Sequence, residues 1–173
     1  MADLTRIDPR LDEVGFTCRV VIETPKDSRS KYTYDPELQA LELSGLLPTG
    51  MSFPLDFGFV PSTLAGDGDP MDVLVVGDEP SAPGCIVHVK LLGVIEAEQT
   101  EKGVTVRNDR LIARTALSIN YRHAKGIEDL GANFVDHLGR FFVSYNELKG
   151  KTFSVIGTGD AARAVELLKA ARN

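Results

Sequence analysis

The sequence predicts an α+β fold in which a small closed or nearly closed β-barrel carries helices on its outside. Two observations lead there. Short β-branched and aromatic runs fill most of the chain up to about residue 116, and helical spacing of apolar residues appears only after about residue 129. The order is many strands, then one helix, one strand and one helix, unlike the regular strand–helix alternation of a parallel α/β sheet.

The elements follow in chain order. Residues 1–14 read as a lead-in. Residues 16–22 form a strand, with Arg19, Val21 and Glu23 on one face and Val20 and Ile22 on the other. Residues 31–34 and 38–43 read as a hairpin around Asp35-Pro36, and residues 45–50 as a loop. Pro54, Gly58 and Pro61 break residues 53–60 into short extended pieces. Residues 73–76 are a buried strand, followed by a loop over 77–84. Residues 86–95 and 104–116 are two strands joined by a turn near Lys102-Gly103, and Glu96, Glu98 and Glu101 crowd that end as a solvated edge. Leu130, Phe134, Leu138, Phe141, Phe142, Tyr145 and Leu148 recur at helical spacing and place a helix over 129–148. Residues 152–156 are a last strand, and Ala161, Val165 and Leu168 mark a terminal helix. Gly157-Thr158-Gly159-Asp160 reads as a strand-to-helix turn with an N-cap, ahead of a phosphate loop.

The bulk numbers bound the function. A length of 173 residues suits one domain, residues 1–173, and 43% hydrophobic residues suffice for a core. A net charge of −6 argues against nucleic acid or an anionic membrane as the main partner. The N-terminus is polar, and no apolar run approaches the ~20 residues that span a bilayer, so a cytoplasmic protein is expected. Cys18 and Cys85 are then expected as free, buried thiols. His88, His123 and His137 match no ligand spacing, and neither the cysteines nor Ser118 and Ser144 show a nucleophile–base constellation.

One stretch carries chemistry. Asp67-Gly68-Asp69-Pro70-Met71-Asp72 places three carboxylates within six residues, at the mouth of the strand 73–76. Gly68 and Pro70 force a turn between them. Read alone, the stretch is an acidic surface turn or a site for a hard cation such as Mg²⁺, Mn²⁺ or Ca²⁺, because its ligands are all oxygen. An EF-hand loop is a poor match, since no Glu sits at position twelve and the glycine is misplaced.

The motif D-G-D-P-M-D-V at 67–73 resembles the signature of soluble family I inorganic pyrophosphatases. Val20-Val21-Ile22-Glu23-Thr24-Pro25, Lys31-Tyr32, Phe53-Pro54 with Phe57-Gly58-Phe59, and Phe141-Phe142 with Tyr145 are similar to other segments of that family, so the resemblance covers about residues 16–160. It implies a five-stranded, OB-like barrel with flanking helices. It also implies Mg²⁺-dependent (or Mn²⁺-dependent) hydrolysis of diphosphate, and a homo-oligomer, usually a hexamer in bacteria. By the same resemblance Asp67, Asp69 and Asp72 hold metal, and Asp69 orients or deprotonates the attacking water. Glu23 holds metal-bound water, Lys31 grips a phosphate and Tyr145 donates to a phosphate oxygen.

The chain departs from that pattern at Thr33, where the family has a metal-binding Glu, and at Gly45, where it has a phosphate-binding Arg. Two tyrosines are Phe53 and Phe57, an acidic pair is Gln99 and Asn108, a Lys is Arg110, and another Lys is Asn146. Two lost cations correspond to roughly 3–6 kcal/mol of transition-state binding, or about 10²–10⁴ in rate. Asp109, Glu98 and Glu101 are candidate replacement carboxylates, and Arg29, Arg107, Arg110 and Arg114 candidate replacement cations. Two further readings therefore stay open at the sequence: a non-catalytic binding or regulatory relative, and a hydrolase of another phosphorylated substrate.

Overall fold

The computed structural model describes residues 3–172. In chain order the strands are β1 (Thr17–Thr24), β2 (Ser30–Asp35), β3 (Ala40–Leu46), β4 (Asp56–Phe59), β5 (Asp72–Val76), β6 (Ile86–Glu101), β7 (Val104–Arg107), β8 (Arg110–Thr115) and β9 (Thr152–Asp160). Helix α1 (Phe134–Glu147) precedes β9, and α2 (Ala161–Ala171) follows it. Strands β1, β4, β5, β8 and β6 pair in that order, and β6 pairs back on β1. This closes a ring of five strands, as expected. The ring needs the chain to pass close to itself: a Cβ on Gly58 of β4 would lie 1.9 Å from the Val21 carbonyl oxygen of β1, so only glycine fits.

The alternation of side chains splits the apolar residues into two clusters. Val20, Ile22, Val73, Val75, Val89, Leu91, Leu111 and Ala113 form one, joined by Ala164, Val165 and Leu168 of α2. Leu74, Leu92, Ile95 and Ile112 point the other way, onto Phe53, Phe57, Phe142, Tyr145 and Phe153. Helix α1 therefore docks by an aromatic stripe, and α2 by a narrow aliphatic one.

Several boundaries differ from the sequence expectation. Strand β6 runs to Glu101 instead of stopping near 95, because β7 and β9 pair with its polar end. The segment 104–116 splits into β7 and β8 at Asn108-Asp109, where the Asp109 carboxylate accepts from the Ala97 N–H at 3.0 Å. Strand β3 extends through Gly45 and Leu46, so the expected loop starts later. The helix begins at Phe134, since Ile127–Leu130 form a separate 3-10 turn that ends at Gly131, φ 116°. Strand β9 continues to Asp160, whose side chain caps α2 by accepting from the Arg163 N–H at 2.9 Å. Both cysteines are free, but only Cys18 is buried, and Cys85 is exposed. All three histidines are exposed.

Candidate active site

The acidic turn is held from below by a buried threonine. Thr63 Oγ1 donates to the Val60 carbonyl at 2.6 Å and accepts from the Met71 N–H at 2.9 Å. Gly68 sits at φ 90°, and the Ala65 N–H reaches the Asp69 carbonyl at 2.7 Å. The turn so formed displays Asp67 and Asp69 on its rim and sets Asp72 at the first position of β5. Opposite, Thr24 Oγ1 accepts from the Tyr32 N–H at 3.0 Å and ties β2 to the end of β1. This brings Lys31 over Glu23, with Nζ 3.8 Å from Oε2, while the other Glu23 oxygen accepts from the Tyr34 N–H at 2.7 Å.

These side chains meet in one cleft of about 970 Å³, lined among others by Glu23, Lys31, Asp67, Asp69, Asp72 and Tyr145. The six residues given site roles by the resemblance thus line one cleft. The floor is aromatic: Phe53, Phe141 and Phe142 surround Tyr145 at ring-centre distances of 5.5, 5.9 and 6.3 Å. Phe53 and Phe57 lack the hydroxyls of the family's tyrosines, but their ring faces carry charge instead. Lys31 Nζ stands 3.9 Å from the centre of Phe57 and 5.8 Å from that of Phe53.

Arg110 opens β8 and is almost wholly buried. Its guanidinium carbon lies 5.1, 5.6 and 5.7 Å from the ring centres of Phe142, Phe153 and Phe57. Nη1 donates to Asp72 Oδ2 and to Asn108 Oδ1. Asn108 in turn donates through Nδ2 to Gln99 Oε1 at 2.8 Å. Arg110 Nε and the Tyr145 hydroxyl are buried with no hydrogen-bond partner. Buried polar groups are seldom left so, and both belong to residues lining the cleft.

Of the other replacement residues, Glu101 lines the cleft and pairs with Lys151 at 3.3 Å. Asp109 is taken by Arg107 at 2.8 Å. Arg29 donates to the Leu47 carbonyl and Arg114 to the Ala124 carbonyl. Two cleft cations were not legible in the sequence. Lys149 and Lys151 follow the end of α1 and line the wall beside Tyr145, with Lys149 Nζ 4.5 Å from its ring centre. Their only sequence signal is a K-G-K after the helix, which is also an ordinary C-terminal pattern.

The protonation equilibria share one character: each group is held toward its neutral form. Burial raises the Glu23 carboxyl above its usual value, against the charge of Lys31. Burial raises Asp69, and the Asp67 charge adds to it. Burial raises Asp72, opposed by Arg110 and Lys31. Burial likewise lowers Lys31 and Lys149 and pushes the Tyr145 hydroxyl up to about 12. The donor set is oxygen-only, and Asp69 is strained by its neighbour's charge, so a hard divalent cation fits the chemistry of the Asp67–Asp69 rim. Among the described residues no three ligating side chains stand as a ready-formed metal cluster.

Residues 20–173 match the family model for inorganic pyrophosphatase. An inorganic pyrophosphatase of Synechocystis is 33% identical over 96% of this chain and 95% of its own. Another, from Rickettsia prowazekii, is 38% identical over 87% of each. The crystal structure of the Thermus thermophilus inorganic pyrophosphatase superposes with a TM-score of 0.88 at 36% identity, covering 98% of this chain and 97% of that one. With its five-stranded ring, its acidic turn and these relatives, the chain belongs to the inorganic pyrophosphatase family.

Proposed function

We propose that the chain hydrolyses inorganic diphosphate to two phosphates in the cleft between β2, the acidic turn and the end of α1. One observation carries the reading: carboxylates from β1, β5 and the turn face lysines from β2 and the segment after α1, across a gap wide enough for a small polyanion. Phosphoryl transfer asks mainly for positioning and charge stabilisation, which such a cleft supplies.

Asp67, Asp69 and Asp72 would hold Mg²⁺ or Mn²⁺, which when bound neutralises diphosphate charge and acidifies a water. Asp69 accepts the proton of the attacking water, and its raised pKa suits a base that must capture and later release one. Lys31, Lys149 and Lys151 bind phosphate oxygens, and Tyr145 donates its unpartnered hydroxyl to another. Glu23 holds Lys31 in place and orders water on the metal side. Lys149 and Lys151 take over the cationic role of the residues replaced by Gly45 and Asn146. The reading places all of this in one cytoplasmic domain. Among the described residues no helix is long and apolar enough to cross a membrane. Exposed Leu117, Ile119, Val155 and Ile156 support a homo-oligomer, with a hexamer as the family assembly.

The test is phosphate release from diphosphate with Mg²⁺ and with Mn²⁺ between pH 6 and 9. Wild type is expected to turn over and Asp72→Asn to fall by about 10³ or more. Equal, background rates for both would reject the reading.

A further inference from the structure

We propose that Arg110 is a permanent internal cation that takes the place of a metal ion on one side of Asp72, so that divalent ions bind only on the Asp67–Asp69 side. The inference rests on the reading of the cleft as a metal-assisted site and specifies how many ions it takes.

Three observations carry it. The first is the fixed position of the guanidinium. Three phenyl rings hold it at 5.1 to 5.7 Å, and its side chain is only 5% exposed. A cation so packed cannot swing aside to admit a metal. The second is its partners. Arg110 Nη1 donates to both Asp72 Oδ2 and Asn108 Oδ1, so one oxygen of the central carboxylate is already neutralised. The third is the neutrality of the surrounding wall. Asn108 and Gln99 bind each other at 2.8 Å, so their amide oxygens are already in use, and the carboxylate beyond them, Glu101, is paired with Lys151 at 3.3 Å. A divalent ion there would meet a fixed positive charge at contact distance without new negative charge to offset it.

The two sides of Asp72 thus differ in kind. Toward the turn stand two carboxylates, Asp67 and Asp69, both lining the cleft. Toward β8 stand a guanidinium and two amides. Arg110 acts here as a positioning residue, orienting Asp72 through Oδ2 and leaving Oδ1 for an ion on the turn side.

The test counts bound Mn²⁺ per full-length chain by electron paramagnetic resonance of the free ion, without diphosphate. Arg110→Met keeps the apolar stem on the three rings and removes the charge. It is expected to gain one Mn²⁺ per chain, or to bind Mn²⁺ roughly tenfold more tightly. Arg110→Lys is expected to keep the wild-type number. Equal binding by Arg110→Met and wild type, including no binding by either, overturns the proposal, as does a gain in Arg110→Lys. If Arg110→Met does not fold by circular dichroism, Asn108→Asp decides. The new carboxylate is expected to pair with Arg110 and leave the Mn²⁺ count unchanged, and a gained ion overturns the proposal. Counting ions needs no turnover, so failure to hydrolyse diphosphate and failure of this assignment are read separately.

Discussion

Two charged clusters flank the same long strand, β6, and they behave in opposite ways. Behind it, Glu96 pairs with Arg107 at 3.0 Å and with Arg163 at 2.9 Å, Arg107 also pairs with Asp109 at 2.8 Å, and Arg163 with Glu166 at 3.2 Å. There the Glu96 carboxyl is pulled below its usual value by hydrogen bonds from Arg163 and Arg107, and both arginines are raised. Every partner favours the other's charge. In the cleft, burial raises Glu23, Asp69 and Asp72 and lowers Lys31 and Lys149. The first cluster closes on itself and ties β7 and α2 to β6. The second is incomplete without something from outside, which is the physical mark of a site and not of a clamp.

The sharpest test removes charge from the open cluster. Asp69→Asn is expected to lower phosphate release by about 10²–10⁴ while leaving the melting temperature of the metal-free protein unchanged or higher, because a disfavoured charge is gone. A matching loss of stability would erase the contrast. Lys31→Met is next: kcat/KM for diphosphate is expected to fall by about 10- to 100-fold, the value of one charge-assisted hydrogen bond of roughly 1.5–3 kcal/mol. Gly45→Arg runs the other way. Gly45 faces Lys31 across the β2–β3 hairpin, and a Cβ there would meet only the Lys31 Cβ at 3.6 Å, so a side chain fits. A further cation beside Lys31 is expected to raise kcat/KM by about tenfold. No gain would mean that Lys149 and Lys151 already saturate the anion's needs.

The closed cluster gives the smallest effects. Glu96→Gln is expected to leave phosphate release unchanged and to lower the melting temperature by about 2–4 °C, since screening at half-exposed arginines keeps the loss near 1 kcal/mol. The pH dependence separates the clusters by sign. Glu96 has a lowered pKa, so its stability is present above the usual 4.5 and is lost as pH falls through its folded value. Glu23, Asp69 and Asp72 have raised values, so their contribution is present below the usual 4.5 and 3.8 and is lost as pH rises through their folded values. Scanning calorimetry of the metal-free protein should therefore resolve two opposed contributions: protonation of Glu23, Asp69 and Asp72 adds stability as pH falls toward their usual values, and protonation of Glu96 removes it below 4.5. In Glu96→Gln the acid-side fall should shrink.

Much of the barrel was legible because its cause is local. Alternation places Val20 and Ile22 opposite Val21 and Glu23, and the acidic turn declares itself by Gly68 and Pro70. The polar end of β6 was not legible, because Glu96, Glu98 and Gln99 form strand only through partners in β7 and β9 that lie up to about sixty residues away. The start of α1 was missed for a local reason: the apolar period runs on through Leu130, while Gly131 breaks the backbone. Of the residues that line the cleft, Glu23, Lys31, Asp67, Asp69, Asp72 and Tyr145 were singled out through their segments' likeness to a family. Lys149 and Lys151 were not, since they reach the cleft only once the aromatic stripe of α1 has docked. Nor could the sequence say that Arg110 alone of four candidate arginines would reach Asp72, because that depends on three phenylalanines brought together from β4, α1 and β9.

Strand β6 has a kinetic consequence. Its N-terminal half closes the ring on β1, while its C-terminal half carries β7, β9 and the wall that holds Gln99. That wall is joined to the ring by one continuous strand, paired with β9 from Gly93 to Thr100. Amide hydrogen exchange at Leu91 to Ala97 should then report only global opening.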